Sequence, residues 1–593
     1  MTGHRLVDGA ALGAAALSVG FHLYYVFSGL LPNLVARPIH MAFAILFVFL
    51  LGPGRPGAGR VAGWVVGAAG LAACAAVVAF RDTLVEQYGA ISGPWQYLLA
   101  LVLIGCTLEM ARRAIKWVMP AVAVAVLAYG LLGQHIPGYF GHAGIPADYF
   151  FGTLVVAEGG LWGQLSGITL DTIAPFVILG AFVSAGAAGQ GFMTLALQSA
   201  GRLRAGAAKV SVLSSALYGM ISGSASANTA TTGAITIPGM KRLGYPRALA
   251  AATEAVASTG GQIMPPIMGA GAFVMAELLR VTYPDIMVAA ALPALLFFIA
   301  VWWGVHNYAV KHDLRGIEAS ALPGWRAVGR SFPFFAIPFG ILVGTLAFSD
   351  YTVAYAAVFA TAATWATLML DAEARPDIRG WAARTALALR EAAVQVAQIA
   401  AIILCASLIV GVFSMTGLGV KLTSVIVSAA GGELWLALLL TGLAALVLGM
   451  ELPTTAAYLI CIAVAGPALE QLGLPALHAH LFVFWYALLC TITPPVCGNV
   501  FIAAGIAETP WLPVAWTAMR LGVGLFVVPL GFIYNPAMLH LAEMPVLALL
   551  AAAKVGGGIW LLSFAVINPL RRPVLCLAAG AAGLLLVFLG GIG

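Results

Sequence analysis

Charged side chains are scarce in this chain. Asp, Glu, Lys and Arg make up 8% of its 593 residues, where soluble globular domains carry about 25%. So few charges cannot cover a water-facing surface, and a soluble domain or string of domains is excluded. Metal-binding cysteine patterns are missing as well. The seven cysteines (Cys74, Cys106, Cys405, Cys461, Cys490, Cys497 and Cys576) lie in apolar stretches, with no CxxC pair and no nearby His at zinc spacing. They read as small packing residues. His306, His312, His478 and His480 make no metal set. There is no Gly-x-x-x-x-Gly-Lys-Ser/Thr loop to cradle the phosphates of ATP, and no Gly-x-Ser-x-Gly elbow on a strand-turn-helix. A convincing cleavage site is lacking after the first apolar run, near Ala10, so that run reads as a retained helix rather than a signal peptide. The net charge of +6 is not a nucleic-acid signal, because the basic residues sit in short loops between apolar runs.

What the chain has is apolar length. It is 62% hydrophobic, with 69 Gly and 31 Pro, the composition of packed and interrupted membrane helices. About 20 apolar residues cross a bilayer. On that measure the chain is an all-α polytopic membrane protein with about 15 spans. Two segments, 209–240 and 433–470, fit poorly as single spans. Each has a polar or Pro-bearing centre and too few residues for two full crossings, and both read as re-entrant hairpins. With the N-terminus in the cytoplasm, 22 of the 28 basic residues fall on the inner side, Arg55, Arg390, Arg571 and Arg572 among them. This satisfies the positive-inside rule only if 209–240 returns to the side it left, since Lys209 precedes it and Lys241-Arg242 follow it.

The first hairpin carries Ser222-Gly223-Ser224-Ala225-Ser226-Ala227-Asn228-Thr229, and the run after it carries Ser258-Thr259-Gly260-Gly261-Gln262-Ile263-Met264-Pro265-Pro266. Both pieces are polar and helix-breaking within apolar surroundings. Broken backbone at membrane depth is tolerated only inside protein or beside water. The pattern returns as Gly449-Met450-Glu451-Leu452-Pro453-Thr454-Thr455, followed by Thr491-Ile492-Thr493-Pro494-Pro495-Val496-Cys497-Gly498-Asn499. Gly223 to Pro265 is 42 residues and Gly449 to Pro494 is 45. The span count has the two hairpins entering from opposite sides, so the units form an inverted repeat, the best sequence pointer to a transporter site near the midplane. Each Pro-Pro pair breaks the helical ladder. Freed carbonyls, hydroxyls and the Asn228 amide offer neutral oxygens to a hard cation, and half-helix N-termini offer N–H groups to an anion.

Ionisable residues within spans are functional by default. Glu451, in the second tip, is the candidate coupling carboxylate, as a Na⁺ ligand or as a protonatable group. Arg520 is a candidate counter-charge for a substrate carboxylate or for Glu451. Glu254 reads equally as an interfacial ion-pair member near Arg247 or as a participant in transport, and Lys554 lies outside the repeat.

The quoted stretches, with Ile237-Pro238-Gly239-Met240-Lys241-Arg242-Leu243-Gly244-Tyr245, Ile267-Met268-Gly269-Ala270 and Leu452 to Tyr458, closely resemble TRAP transporter permeases over residues 140–535. The nearest resemblance is to the type that fuses small and large membrane subunits and works with TAXI-type binding proteins. The resemblance implies an elevator-type importer of small organic anions, carboxylates by class, in a bacterial inner membrane. It implies coupling to Na⁺ in preference to H⁺, no other cofactor, and a separate periplasmic protein that delivers substrate. The domain layout follows. Residues 1–135 form a small-subunit-like scaffold of four to five spans, and 136–166 an interfacial arm. Residues 167–310 are the first transport repeat, and 311–390 are connecting spans and a cytoplasmic loop. Residues 391–535 are the second repeat, and 536–593 two last spans. The Na⁺ ligands are expected among Ser222, Gly223, Ser226, Asn228, Gly260, Gly449, Thr454, Thr455, Thr491 and Thr493. Substrate contacts are expected from Ser224, Ser226, Asn228, Thr229, Gln262, Thr454, Thr455, Asn499 and Arg520. Glu451 and Gly498-Asn499 depart from the family pattern, which has a small residue in the tip and apolar residues after the break. A binding-protein-independent exchanger would share the inverted repeat. An intramembrane enzyme would need a reactive dyad at one depth, and the sequence offers none.

Overall fold

A chain with this composition can satisfy its backbone in lipid only by closing hydrogen bonds within each segment. The computed structural model, which describes residues 2–29, 31–51, 58–450, 452–568 and 573–592, is accordingly helical throughout, with no β-strand among the described residues. Nine helices among them are long and apolar enough to cross a membrane, and seven shorter apolar helices accompany them. Glu451, Arg55, Arg571 and Arg572 lie outside the described residues.

The two units share one order of elements. In the first, helices Gly206–Ser222 and Ala225–Arg242 form the hairpin. A broken helix follows: Arg247–Thr259, a 3₁₀ turn at Gly260–Gln262, a non-helical stretch, then Ala270–Leu279. In the second, the hairpin is Leu434–Gly449 and Thr454–Gln471. The broken helix is Ala476–Leu489, a turn at Cys490–Ile492, and Gly498–Ala507. Pro265-Pro266 and Pro494-Pro495 lie in the non-helical stretches, each with a cis peptide bond. A short helix precedes each hairpin, Ala188–Ala200 in one unit and Leu418–Ala429 in the other. These two were not visible as spans, because at 13 and 12 residues they are well short of a bilayer crossing.

The helix Ile378–Thr416 is the post around which the rest is arranged. It packs on Thr2–Ser28, Asn33–Ile45, Pro94–Ile115 and Val118–Leu132 of the N-terminal region, and on Ala174–Ala185 of the first repeat. Its 39 residues make it about 58 Å long, well beyond the hydrocarbon thickness. The sequence pattern assigns 371–390 to a loop, but the loop ends at Asp377. That carboxylate accepts the Gly380 N–H at 2.9 Å and the Arg384 guanidinium at 3.1 Å, an N-cap that starts the helix in the aqueous layer. Hydropathy detects only the apolar half of such a helix.

The expected interfacial arm is packed inward at two of its aromatic residues, while Tyr139, Phe140 and Tyr149 stay exposed. Phe150 and Trp162 are fully buried, and the Trp162 indole donates to the Val155 carbonyl at 2.6 Å. At the other end of the chain, the Lys554 ammonium donates to Asn535 Oδ1 (2.8 Å) and the Gly590 carbonyl (2.6 Å), tying the C-terminal helix pair together.

Candidate substrate and ion site

A cavity of about 1020 Å³ lies between the two tips, the two breaks and the long helix. Four helices begin on its wall: Ala225, Ala270, Thr454 and Gly498 are each the first residue of a helix, and each lines the cavity. The first N–H groups of a helix have no partner within it, and four positive dipole ends therefore converge on one space.

Glycine makes the first tip possible. Gly223 has φ +56, and a Cβ on it would lie 2.9 Å from the Met268 carbonyl oxygen in the break. Ser224 then caps the second arm, its hydroxyl accepting the Ala227 N–H at 3.3 Å. One turn earlier, a Cβ on Gly219 would sit 2.3 Å from the Gly261 Cα, so hairpin and break touch backbone to backbone. In the second unit, Cys490 Sγ donates to the Gly449 carbonyl at 2.8 Å.

The units are joined across the repeat by polar side chains. Ser226 Oγ donates to Asn499 Oδ1 at 3.1 Å, and Asn499 Nδ2 donates to Thr259 Oγ1 at 2.8 Å and Thr491 Oγ1 at 3.3 Å. Thr259 and Thr491 hydroxyls are 3.0 Å apart. Asn499, expected as a substrate contact, is thus the bridge between the first tip and the second break.

Of the expected site residues, the structure brings Ser222, Gly223, Ser224, Ser226 and Gln262 from the first unit to the cavity wall. Gly449, Thr454, Thr455 and Thr491 join them from the second. Gln262 Oε1 is buried without a hydrogen-bond partner among the described residues, and is therefore available to a ligand. Other expected ligands are turned away. Asn228 is buried and donates to the Ser215 carbonyl (2.8 Å) and the Ser258 carbonyl (3.4 Å), so its amide ties hairpin to broken helix. Thr229 donates to the Ala225 carbonyl and Thr493 to the Leu489 carbonyl, the back-bonding usual for hydroxyls within helices. Gly260 packs against Phe297 and Phe298. Arg520 is exposed at the last turn of Trp511–Leu521, beside Tyr308, and does not line the cavity. Glu254, read as a possible interfacial pair, is fully buried.

The long helix supplies wall residues that were missed. Arg390, Glu391, Gln395 and Gln398 face the cavity, and Lys116 joins them from the end of Pro94–Ile115. The signal was present. Glu391, Gln395 and Gln398 recur at helical spacing at the start of an apolar run, which a count of hydropathy alone passes over. The basic groups on the wall are Lys116 and Arg390.

Paired broken helices around one shared polar cavity, in a multi-pass chain, define a secondary transporter. Residues 101–547 match the family model "Tripartite ATP-independent periplasmic transporter, DctM component", and the chain belongs to that family. It is a membrane transport protein and not an enzyme, and permeases of this family work with a periplasmic substrate-binding protein. The chain is 26% identical over 343 residues to the C4-dicarboxylate TRAP transporter large permease protein DctM of Pseudomonas aeruginosa, covering 58% of this chain and 78% of that one. It is 22% identical over 454 residues to the isethionate TRAP transporter permease protein DctMQ of Oleidesulfovibrio alaskensis, covering 72% and 69%. Among solved structures it is similar to the YdaH transporter of Alcanivorax borkumensis, with a TM-score of 0.48 and 18% identity over 74% of this chain and 98% of that one.

Proposed function

We propose that the chain imports a small organic anion, a carboxylate by class, driven by a cation gradient with Na⁺ favoured over H⁺. The observation that carries this is the convergence of four helix N-termini on one cavity that also holds Lys116 and Arg390. Partial positive charge from the dipoles, together with the Lys116 ammonium, suits a carboxylate or similar anion. Hydroxyls of Ser222, Ser226, Thr454, Thr455 and Thr491 beside the broken backbone suit Na⁺, a hard cation that takes neutral oxygens. The two hairpin units move together as a transport domain against the N-terminal helices, in an elevator-type cycle, with the N-terminus cytoplasmic and the protein in the bacterial inner membrane. Substrate arrives from a periplasmic binding protein of the TAXI type. Relatives named for C4-dicarboxylates and for isethionate support an anionic cargo.

The test is uptake into proteoliposomes containing the full chain, with and without the binding protein, first replacing Na⁺ by choline at fixed pH and then varying pH at fixed Na⁺. Uptake is expected only with the binding protein and an inward cation gradient. Full uptake without either would overturn the proposal and leave a binding-protein-independent exchanger.

A further inference from the structure

Beneath the first tip lies a polar cluster that does not line the cavity. Its centre is Glu254, fully buried in the first broken helix. Ser215 (2.8 Å), Ser258 (2.8 Å) and Thr232 donate to Oε1, and Ser211 (2.6 Å) and Thr236 (2.5 Å) donate to Oε2. The five hydroxyls come from both hairpin arms and from the broken helix itself. No ion pair reaches Glu254 among the described residues.

The charged and titratable groups on the helices packed around it are engaged elsewhere. The Lys209 ammonium stands over the Trp302 ring at 4.8 Å, with His306 near it. Lys241 and Arg247 face Glu508 at 3.7 and 3.8 Å, and Arg242 is exposed. Tyr283 donates to the Pro266 and Ile267 carbonyls, Asp285 caps its own helix, Lys311 donates to the Ile567 carbonyl, and His312 stacks on Tyr308. Arg520 lies beside Tyr308, Cys490 is bonded to Gly449, and Tyr218 lines the cavity.

We propose that Glu254 is a proton-exchange site of the transporter, its carboxylate forming one O–H bond with a proton from water and releasing it again; its role in coupling rests on the transport function proposed above. The carboxylate is fully buried, faces no counter-charge among the described residues and accepts from five hydroxyls. Neither form is locked, because the cluster satisfies both. Thr232 Oγ1 lies 2.7 Å from the Asn228 carbonyl and Thr236 Oγ1 lies 3.1 Å from the Thr232 carbonyl. When Glu254 gains a proton, the hydroxyl facing the protonated oxygen, Thr232 at Oε1 or Thr236 at Oε2, turns to its carbonyl and accepts from the acid. A route for the proton is at hand. A second cavity of about 380 Å³ is lined by Ser214 and Thr232, and Thr232 bonds directly to Oε1. The second unit builds the same hairpin and broken helix with Val483 at the corresponding position, so the carboxylate is not a requirement of the fold.

The test is infrared titration of the purified full chain in lipid nanodiscs, without substrate, comparing wild type with Glu254→Gln. The expected result is a protonated-carboxyl carbonyl band that grows on acidification, shifts in D₂O and is absent from the Gln variant. Thr232→Val, which keeps the acid but removes one of its hydroxyl partners, is expected to keep the band and its dependence on pH; it also serves if the Gln variant does not fold. No band that depends on both Glu254 and pH would overturn the proposal, as would a band that responds to Na⁺ at fixed pH but not to pH. Since no uptake is measured, failure here is distinguishable from failure of the transport function.

Discussion

Counted back from the two Pro-Pro pairs, Glu254 and Ser258 in the first unit stand where Val483 and Ala487 stand in the second. Counted back from Gly223 and Gly449, Ser211 and Ser215 stand where Ala437 and Thr441 do, and counted from the first residue of each second arm, Ala225 and Thr454, Thr232 and Thr236 stand where Cys461 and Ala465 do. One unit therefore has a hydrogen-bonded carboxylate at its centre. The other has an apolar interior, with Phe482, Val483 and Phe484 almost wholly buried and Tyr458 bonded to His480 at 2.7 Å. Thr441, the one hydroxyl retained, has no partner among the described residues. The backbone plan evidently needs only glycine at the close approaches, proline at the break and small residues between. The acid and its hydroxyls depend on one another, because a buried carboxylate without donors is costly.

This comparison can be broken experimentally. The largest effect is expected for Glu254→Val alone, which leaves the Ser211, Ser215 and Ser258 hydroxyls without their acceptor while Thr232 and Thr236 fall back on backbone carbonyls. A loss of about 3 kcal/mol and of transport is expected, read by thermal unfolding and by uptake. Converting the whole set to the second unit's residues should restore most of the stability but not transport, since paired removal of polar groups is far cheaper than orphaning one side. If the sixfold variant is no more stable than the single one, the set does not act together.

Next come the close approaches. Gly219→Ala drives a Cβ into the Gly261 backbone, with an expected cost of about 1–3 kcal/mol. Gly449→Ala meets instead the Cys490 side chain, its sulfur at 2.5 Å, so adding Cys490→Gly should recover stability there. Unfolding curves of the single and double variants decide this. A smaller stability effect, about 1 kcal/mol, is expected for Asn499→Ala, together with a roughly tenfold weaker apparent affinity for the driving cation, equivalent to about 1.4 kcal/mol. An unchanged cation dependence would limit Asn499 to packing. Arg390→Gln and Lys116→Gln should each weaken substrate uptake, whereas Arg520→Gln should leave it near wild type.

The smallest effect concerns Asp377. The Gly380 N–H, and then Arg384, hold its carboxyl below the usual carboxylate range. A lowered value in the folded state means the contribution is present above the ordinary Asp value, about 3.9, and is lost as pH falls through the folded one. Asp377→Asn should therefore flatten the stability–pH curve only on the acid side of about pH 4, measured by thermal unfolding across pH.

Much of the plan could be read in one dimension. The tips at Ser222–Asn228 and Gly449–Thr455, the breaks at the proline pairs and their repetition are local backbone chemistry, and local chemistry is written in consecutive residues. The cavity wall was legible where it belongs to those tips and illegible where it comes from Arg390, Glu391, Gln395, Gln398 and Lys116, because neighbourhood in space between distant helices leaves no mark in residue order. Asn228 shows the converse. Its residue type suits a ligand, and only the positions of the Ser215 and Ser258 carbonyls turn its amide inward.

The sequence by itself determined that the chain lives in a membrane, that it is helical, and that it contains two matched broken units. Scarcity of charge, apolar length and paired prolines permit little else. Only the tertiary structure decided which polar groups meet. It gathered four helix N-termini around one cavity, joined Ser226 and Thr259 to Asn499 across the repeat, and enclosed Glu254 within hydroxyls from three helices. A hydrogen bond depends on distance and direction between groups far apart in the chain, and those are set by how the helices pack.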